Sequence, residues 1–396
     1  MEIAVDPLIW RDCLAVAARL DGRLDPLAGG SVLVTGAGGF LGRWFVHSVL
    51  AFGESALRRD PPCVTCLDRF PRGVPDWLEH LRPHQRVKII QADVTAPLPS
   101  DVGTPGYVIH AASIASPPRY RERPIETMDA NVLGTRRLLD HAVARGDLKS
   151  LLVMSSSEIY GDPPADQIPT PEDYRGNVSP IGPRACYDES KRYAETLAVN
   201  FHRAYGVPVK IARPFNNFGP GLSLDDGRVI SDLCARALRG EDLVLHSGGE
   251  PTRTFCYAAD AVDGYWRILL SDHNGQAFNI GASQPEIGMR KLAELIARLA
   301  REELSVRPLK VVHVPSSDRD YLSDNPRRRC PNLRKARRLL DYEPATSLEE
   351  GLQKTLRWYA AQEEKGASLE RPHLDRRADR GKLALAGQRA ERRGGL

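Results

Sequence analysis

Tyr187 and Lys191 stand four residues apart in Tyr187-Asp188-Glu189-Ser190-Lys191, a spacing that puts a phenol and an ammonium on one face of a helix. A cation beside a phenol favours the phenolate, so the pair could take a hydroxyl proton while hydride leaves the same carbon. Taken alone, such a pair is more often a plain surface contact. Its weight comes from the segment upstream, where the apolar run Leu151–Met154 ends in Ser155-Ser156-Ser157-Glu158-Ile159-Tyr160-Gly161. A serine hydroxyl there, assigned to Ser156, can hydrogen-bond the oxygen being oxidised and completes a Ser-Tyr-Lys arrangement.

Hydride chemistry needs an acceptor, and the N-terminal third of the chain supplies a place for one. The apolar run Val32-Leu33-Val34 leads into Gly36-Ala37-Gly38-Gly39-Phe40-Leu41-Gly42, followed by Trp44, Phe45, Val49 and Leu50 at helical spacing. Glycines at 36, 39 and 42 permit a tight turn, close approach of the backbone to a pyrophosphate and tight helix packing, while a helix starting at Phe40 and Leu41 offers free N–H donors. A lone glycine motif is weak. Here it has its strand, its helix and an acidic residue, Asp68, at the end of the next strand, so a dinucleotide site is expected. Asp68 would accept the adenosine ribose hydroxyls and repel a 2′-phosphate, favouring NAD; the adjacent Arg69 moderates that preference. Asp93 with Val94, and Ala111-Ala112-Ser113, follow the third and fourth strands, at the sheet edge where such folds bind ligands.

These residues must be held by a regular frame, and the pattern supplies one. Short apolar runs at Val64–Leu67, Val87–Ile90, Tyr107–His110, Leu151–Met154 and Val209–Ala212 alternate with longer helical stretches. That alternation predicts an α/β fold, a Rossmann-type doubly wound parallel sheet covered on both faces. Residues 1–30 are expected to be a helical extension, with an amphipathic helix over 8–24, and 31–215 the dinucleotide-binding domain. After Pro214 the chain is less regular and richer in Gly, Pro and Arg, so 216–360 is expected to be a smaller mixed α/β substrate-binding lobe, ending in a helix over 347–359.

Composition narrows the classes further. With 396 residues, 42% hydrophobic and 27% charged, the chain can bury a large core. The formal charge of +4 is misleading: nine Lys/Arg against four Asp/Glu after residue 364 place +5 in the tail and leave the body near −1. The segment 361–396 reads as a disordered basic tail, without a nucleic-acid module beside it, so no nucleic-acid partner is expected. No apolar stretch is long enough to cross a bilayer and no leader pattern is present, so the reading is cytoplasmic with no membrane partner. Seven irregularly spaced cysteines suggest free thiols. Cys63 and Cys66 lie at an odd offset within a strand pattern, facing opposite ways, so no metal site is expected.

Together the glycine motif, the serine run, Tyr187-x-x-x-Lys191 and Arg213-Pro214-Phe215-Asn216-Asn217-Phe218-Gly219-Pro220 resemble the extended short-chain dehydrogenases/reductases that act on nucleotide sugars, over about residues 31–360. Within them the chain is most similar to UDP-glucuronate decarboxylases (UDP-xylose synthases), through Ala115-Ser116-Pro117-Pro118-Arg119-Tyr120, Ser157–Pro163, Ser179–Glu189, Asp226-Gly227-Arg228-Val229 and Thr252-Arg253-Thr254-Phe255. The resemblance implies a retained NAD. It implies that Tyr187, with Lys191 and Ser156, takes the proton from the sugar C4 hydroxyl. A carboxylate at C5 of the resulting 4-keto sugar can then leave as carbon dioxide. Glu158 would position the ring or assist proton movement at C5, and Tyr120, Asn216, Arg228, Arg253 and Arg329 would contact the nucleotide sugar. A homodimer through the Tyr-x-x-x-Lys helix and the helix over about 126–145 is implied as well.

One position departs from the pattern: Asp129 stands where the decarboxylases carry a lysine near the sugar, which would weaken attraction for a uronic acid if the side chain points inward. Dehydration is disfavoured, because the dehydratase branch carries an Asp-Glu pair where this chain has Ser157-Glu158. A 4-epimerase acting on an unusual neutral sugar is the alternative. The alternative of another class is a non-catalytic dinucleotide-binding sensor or scaffold, which the complete Ser156, Tyr187 and Lys191 set argues against.

Overall fold

Helix α1 (Pro7–Leu20) starts on a proline, whose missing N–H has no helical partner to lose, and is capped by Asp6, which accepts from the Leu8 and Ile9 amides at 3.1 and 3.2 Å. The computed structural model describes residues 5–318, 320 and 323–364. Strand β1 (Ser31–Thr35) leads through the glycine loop into α2 (Phe40–Glu54). Ile9, Cys13, Val16, Ala17 and Leu20 of α1 are buried in the same core as α2. The N-terminal segment, expected as an extension, therefore packs as part of the main body.

The chain continues through β2 (Cys63–Asp68), the short α3 (Asp76–Glu79), β3 (Val87–Gln91), β4 (Tyr107–His110), α4 (Pro117–Glu122), α5 (Pro124–Arg145), β5 (Ser150–Met154), α6 (Ala185–Tyr205) and β6 (Val209–Pro214). After these come β7 (Asn217–Phe218), α7 (Val229–Leu238), β8 (Leu243–Leu245), β9 (Thr252–Arg253), β10 (Cys256–Tyr257), α8 (Ala258–Leu269) and β11 (Ala277–Ile280). The last elements are β12 (Ile287–Gly288), α9 (Met289–Leu304), β13 (Val311–His313), β14 (Arg328–Arg329), α10 (Arg334–Leu340) and α11 (Leu348–Glu364).

The large sheet is parallel throughout, in the order β11-β6-β5-β4-β1-β2-β3. Every residue of β4 and β5 is buried, as strands covered on both faces should be. The order reverses between β1 and β4, and a crevice opens at the carboxyl ends of two strands whose connections depart in opposite directions. Helix α8 is buried along its length, and β11 pairs with β6 from Ala277 opposite Ile211 to Ile280 opposite Pro214. Both come from the segment expected to form the second lobe, so the chain returns to the large sheet before finishing that lobe.

The remaining strands form small sheets, of which β12-β9-β14 matters most for the site. Pairing of β14 with β9 places Arg329 opposite Arg253. The described residues up to Ala360 form one compact unit. The basic tail predicted from the sequence lies, beyond residue 364, outside the described residues. Cys63 is exposed and Cys66 buried, as opposite faces of β2 require, and all seven cysteines are free.

Candidate active site

The glycine loop and the end of β4 meet at the crevice. Gly36 sits at φ +70°, and a Cβ there would lie 2.6 Å from the Ala112 amide nitrogen; one on Gly42 would lie 2.2 Å from the Gly36 carbonyl oxygen. Side chains at either position would push apart the loop, the helix and the neighbouring strand end. Asp68 completes the cradle: its carboxylate accepts from the Gly38 amide at 3.1 Å and the Phe70 amide at 3.0 Å. Those contacts hold an acceptor at the end of β2, beside the loop. Gly39 is the residue preceding α2, which begins with Phe40 and Leu41.

Around this cradle the other expected cofactor residues fall into place. Asp93 accepts from the Thr95 amide and hydroxyl at 2.8 Å, and Val94 is buried against α5 near Gly134. Arg69 is shared between Glu126 at 3.3 Å and Asp93 at 3.7 Å, so its charge is already countered. Ala111 and Ala112 follow β4, with the Ala111 amide donating to the Thr35 carbonyl at 3.1 Å. The Ser113 hydroxyl is buried without a protein partner, facing a site that can use it. A cradle closed to side chains, an acceptor at Asp68 and an orphaned hydroxyl at Ser113 fit a dinucleotide.

Helix α6 carries the reacting groups. Tyr187 is buried, stacked on Tyr120 with ring centroids 5.0 Å apart, and Ser156 lies near enough to its phenol to favour the ionised form. Ser156 in turn accepts from the Glu158 amide at 3.1 Å, capping the 3-10 turn Ser157–Tyr160. One turn along α6, the Lys191 ammonium donates to the Met154 carbonyl at 2.8 Å and lies 5.7 Å from the centre of the Tyr187 ring. Ser156, Tyr187 and Lys191 are thus brought together as the sequence predicts. One expectation changes: burial outweighs Ser156 and Arg228, so the Tyr187 phenol is pushed up to about 12, and burial pushes the Lys191 ammonium down to about 7, with Glu195 pulling the latter back.

Behind the tyrosine lies a charged cluster. Glu158 is gripped by Arg329, whose Nη1 donates at 2.6 Å, and by Arg184, whose Nη2 lies at 2.5 Å. Burial alone would raise the Glu158 carboxyl, but the two guanidinium charges and their hydrogen bonds hold it down at about 2. Glu158 is therefore ionised in this structure, held between two guanidinium groups. Arg329 is buried by β14 pairing with β9, whereas Arg328 beside it turns out to Glu286 at 2.7 Å. The run of three arginines thus splits between core and surface.

Arg253 is buried and has no carboxylate in contact. Its guanidinium donates to the Thr252 and Arg327 carbonyls at 2.8 and 3.2 Å and to the Asn325 side chain at 3.1 Å. Burial, then the charge of Arg329, lowers it to about 9, so it stays a cation at neutral pH. Arg228, just before α7, is paired with Asp226 and acts electrostatically on Tyr187. Asn216 has φ +44° and spends its amide on the Thr254 carbonyl at 2.8 Å. Asp129 lies on α5, partly exposed, and makes no hydrogen bond or ion pair with the described residues. Nothing ties it to the Glu158 cluster.

Sequence reasoning missed Arg184, Asp188 and the buried pair Glu195–Arg213. Arg213 grips Glu195 with Nε and Nη2 at 2.9 and 2.6 Å, and Glu195 accepts from Ser155 at 2.5 Å, fastening α6 to the strand end that presents Ser156. Glu195 follows Lys191 by four residues, a spacing that could have flagged it. Among the described residues no group of His, Cys, Asp and Glu could hold a metal ion, and no helix is long and apolar enough to cross a membrane.

Comparison with known proteins gives a consistent result. Residues 32–281 match the model of the NAD dependent epimerase/dehydratase family. UDP-glucuronic acid decarboxylase 5 of Arabidopsis thaliana is 39% identical over 321 residues, covering 81% of this chain and 86% of that protein. UDP-glucuronic acid decarboxylase 1 of Xenopus tropicalis is 38% identical over 328 residues, 83% of this chain and 72% of the relative. Among solved structures, MoeE5 in complex with UDP-glucuronic acid and NAD superposes with a TM-score of 0.68 at 26% identity, covering 84% of this chain and all of that one.

Proposed function

The chain belongs to the NAD dependent epimerase/dehydratase family, and on that premise we propose that it decarboxylates a UDP-uronic acid of the UDP-glucuronate type with a retained NAD. The observation that carries the reading is the set of buried guanidinium groups around Glu158, next to Tyr187. Arg184 and Arg329 grip its carboxylate, and Arg253, opposite Arg329 across the β9–β14 pair, adds a third buried cation with no carboxylate of its own. A diphosphate is common to every nucleotide sugar, but cations beside the reacting tyrosine suit a sugar carboxylate, which a neutral sugar lacks. That surplus also answers the lysine missing at Asp129, because the cation a uronic acid requires is supplied elsewhere.

The chain's own groups divide the work as follows. Tyr187, once its own proton has left and it stands as the phenolate, accepts the C4 hydroxyl proton, and Ser156 donates a hydrogen bond to the same oxygen as its charge grows. NAD, when bound, takes up the hydride from C4 and gives it back at the end. Lys191, anchored on the Met154 carbonyl, places its charge beside the Tyr187 ring. Once C4 is a ketone, the C5–C6 bond breaks, its electron pair passes into the enolate and carbon dioxide leaves; C5 then takes a proton from water, and Tyr187 returns its proton to the C4 oxygen as the hydride comes back. Glu158, Arg184 and Arg329 hold the ring and the departing carboxylate in register.

Asp68→Ala is expected to weaken NAD by roughly ten- to a hundredfold, the worth of one or two charge-assisted hydrogen bonds, and to narrow the preference over NADP. Titration of both dinucleotides measures it; unchanged affinities would place the ribose elsewhere.

Incubation with a panel of nucleotide sugars, read by mass spectrometry, tests the reaction: loss of carbon dioxide supports it, and an isobaric product or loss of water overturns it. Asp129→Lys sharpens the test. On a uronic acid it should keep kcat/KM or raise it by up to about fivefold, since an exposed charge contact is worth about 1 kcal/mol or less. Damage on UDP-glucuronate with activity on neutral sugars in the wild type would favour epimerisation. A homodimer is part of the proposal: Ile125, Met128 and Leu133 on α5 and Tyr193 on α6 are exposed apolar groups on adjacent helices. We also place the protein in the cytoplasm, where its seven free thiols would stay reduced.

A further inference from the structure

Two carboxyl groups compete for one guanidinium beside Tyr187. Glu158 has won it: both of its oxygens face arginines, Arg184 and Arg329. Asp188 follows Tyr187 directly and lies one helical turn beyond Arg184, with only 3% of its surface exposed. Its Oδ2 is 3.8 Å from Arg184 Nε, too far for a hydrogen bond, and its Oδ1 has no protein partner. Arg184 Nε and the Tyr120 hydroxyl, both buried nearby, are unpartnered as well.

A dry site with one shared guanidinium does not support two ionised carboxylates; the better-bonded one keeps the charge and the other keeps a proton. The surroundings press in both directions, and the balance favours the neutral form. Glu158 on the 3-10 turn and Asp324 on the loop before β14 oppose a charge on Asp188. Arg184 on its own helix and Arg329 on β14 favour one, but burial and Glu158 outweigh them, and the carboxyl is pushed up to about 8. Tyr120 on α4 and Asn131 on α5 add only neutral groups.

We propose that Asp188 is a positioning residue that carries its proton in the resting protein, leaving the arginines around Glu158 with a positive surplus for an anionic sugar, and that ionising it weakens the hold on that anion. With Asp188 neutral, Glu158 is, among the described residues, the one carboxylate in contact with Arg184 and Arg329, and Arg253 adds a further cation beside them. Loss of the proton to solvent adds a second carboxylate and cancels one of the two surplus charges. The inference rests on the uronic-acid reading for its ligand, but the protonation itself does not.

Two measurements on NAD-loaded protein decide it. Infrared difference spectra of the wild type should show the carbonyl stretch of a neutral carboxylic acid that survives to about pH 7 and is lost by about pH 9, and that is missing in Asp188→Asn. Calorimetric affinity and KM for UDP-glucuronate should weaken about tenfold across the same interval in the wild type. In Asp188→Asn both should stay flat, while the titrations of Lys191 and Tyr187 move kcat alike in the two proteins. If the asparagine variant does not fold, Asp188→Ser serves in its place. Absence of the neutral-acid band in the wild type overturns the proposal, as does an alkaline loss of affinity that persists in the variant. A wild type that neither binds nor turns over UDP-glucuronate at any pH sinks the uronic-acid reading instead, and the infrared band still decides the state of Asp188.

Discussion

Tyr187→Phe is expected to leave the fold and dinucleotide affinity intact while kcat falls by about a hundred- to ten-thousand-fold, the usual contribution of a positioned acid/base group. The ring is what packs: it stacks on Tyr120 with an interplanar angle of 13° and lies under the Lys191 ammonium. Phenylalanine keeps those contacts. The hydroxyl is what reacts, and Ser156 beside it can turn to other acceptors when the phenol is gone. Steady-state rates on the best nucleotide sugar, with the melting temperature and NAD affinity as controls, check the split. Near-wild-type turnover would remove Tyr187 from the reaction altogether.

The part of this site written in local sequence was legible because local chemistry fixes it. Tyr187 and Lys191 share a helix face at any tertiary arrangement, and the glycine loop with Asp68 follows from two adjacent strand–helix units. The charged cluster was not legible in the same way. Arg184 is one arginine among many until α6 and the 3-10 turn at Ser157–Tyr160 close on it, and Arg329 is buried only because β14 pairs with β9 across more than seventy residues of chain. Long-range pairing of two-residue strands leaves no periodic trace. The same reason hid β11, a four-residue strand reaching back to β6 after an intervening lobe. The N-terminal helix showed its amphipathic face, but amphipathicity does not say against what a face will pack.

Glu158→Gln should produce the largest loss of stability among these substitutions. The carboxylate lies between Arg184 and Arg329, with side-chain exposures of 16%, 11% and 9% for Glu158, Arg184 and Arg329. Removing one member of a buried ionic group leaves the others charged and uncompensated, at about 3–5 kcal/mol, or roughly 5–15 °C in melting temperature for a chain of this size. Acid should separate the two proteins in a defined direction. Because the folded carboxyl lies below its ordinary value of 4.5, at about 2, its stabilisation is present above pH 4.5 and is lost as the pH falls toward 2. The wild type should therefore converge on the variant in that interval, and the gap between them should be widest near neutrality. Ligand adds a further contrast. With Glu158 neutralised, a substrate carboxylate meets guanidinium groups that have lost their closest counter-charge, so UDP-glucuronate should raise the melting temperature of Glu158→Gln by more than it raises the wild type's, even though turnover is poor. A variant as stable as the wild type at pH 7, with no added protection from UDP-glucuronate, would mean that Arg184 and Arg329 satisfy themselves without Glu158. The arginine surplus would then no longer mark the anion's place.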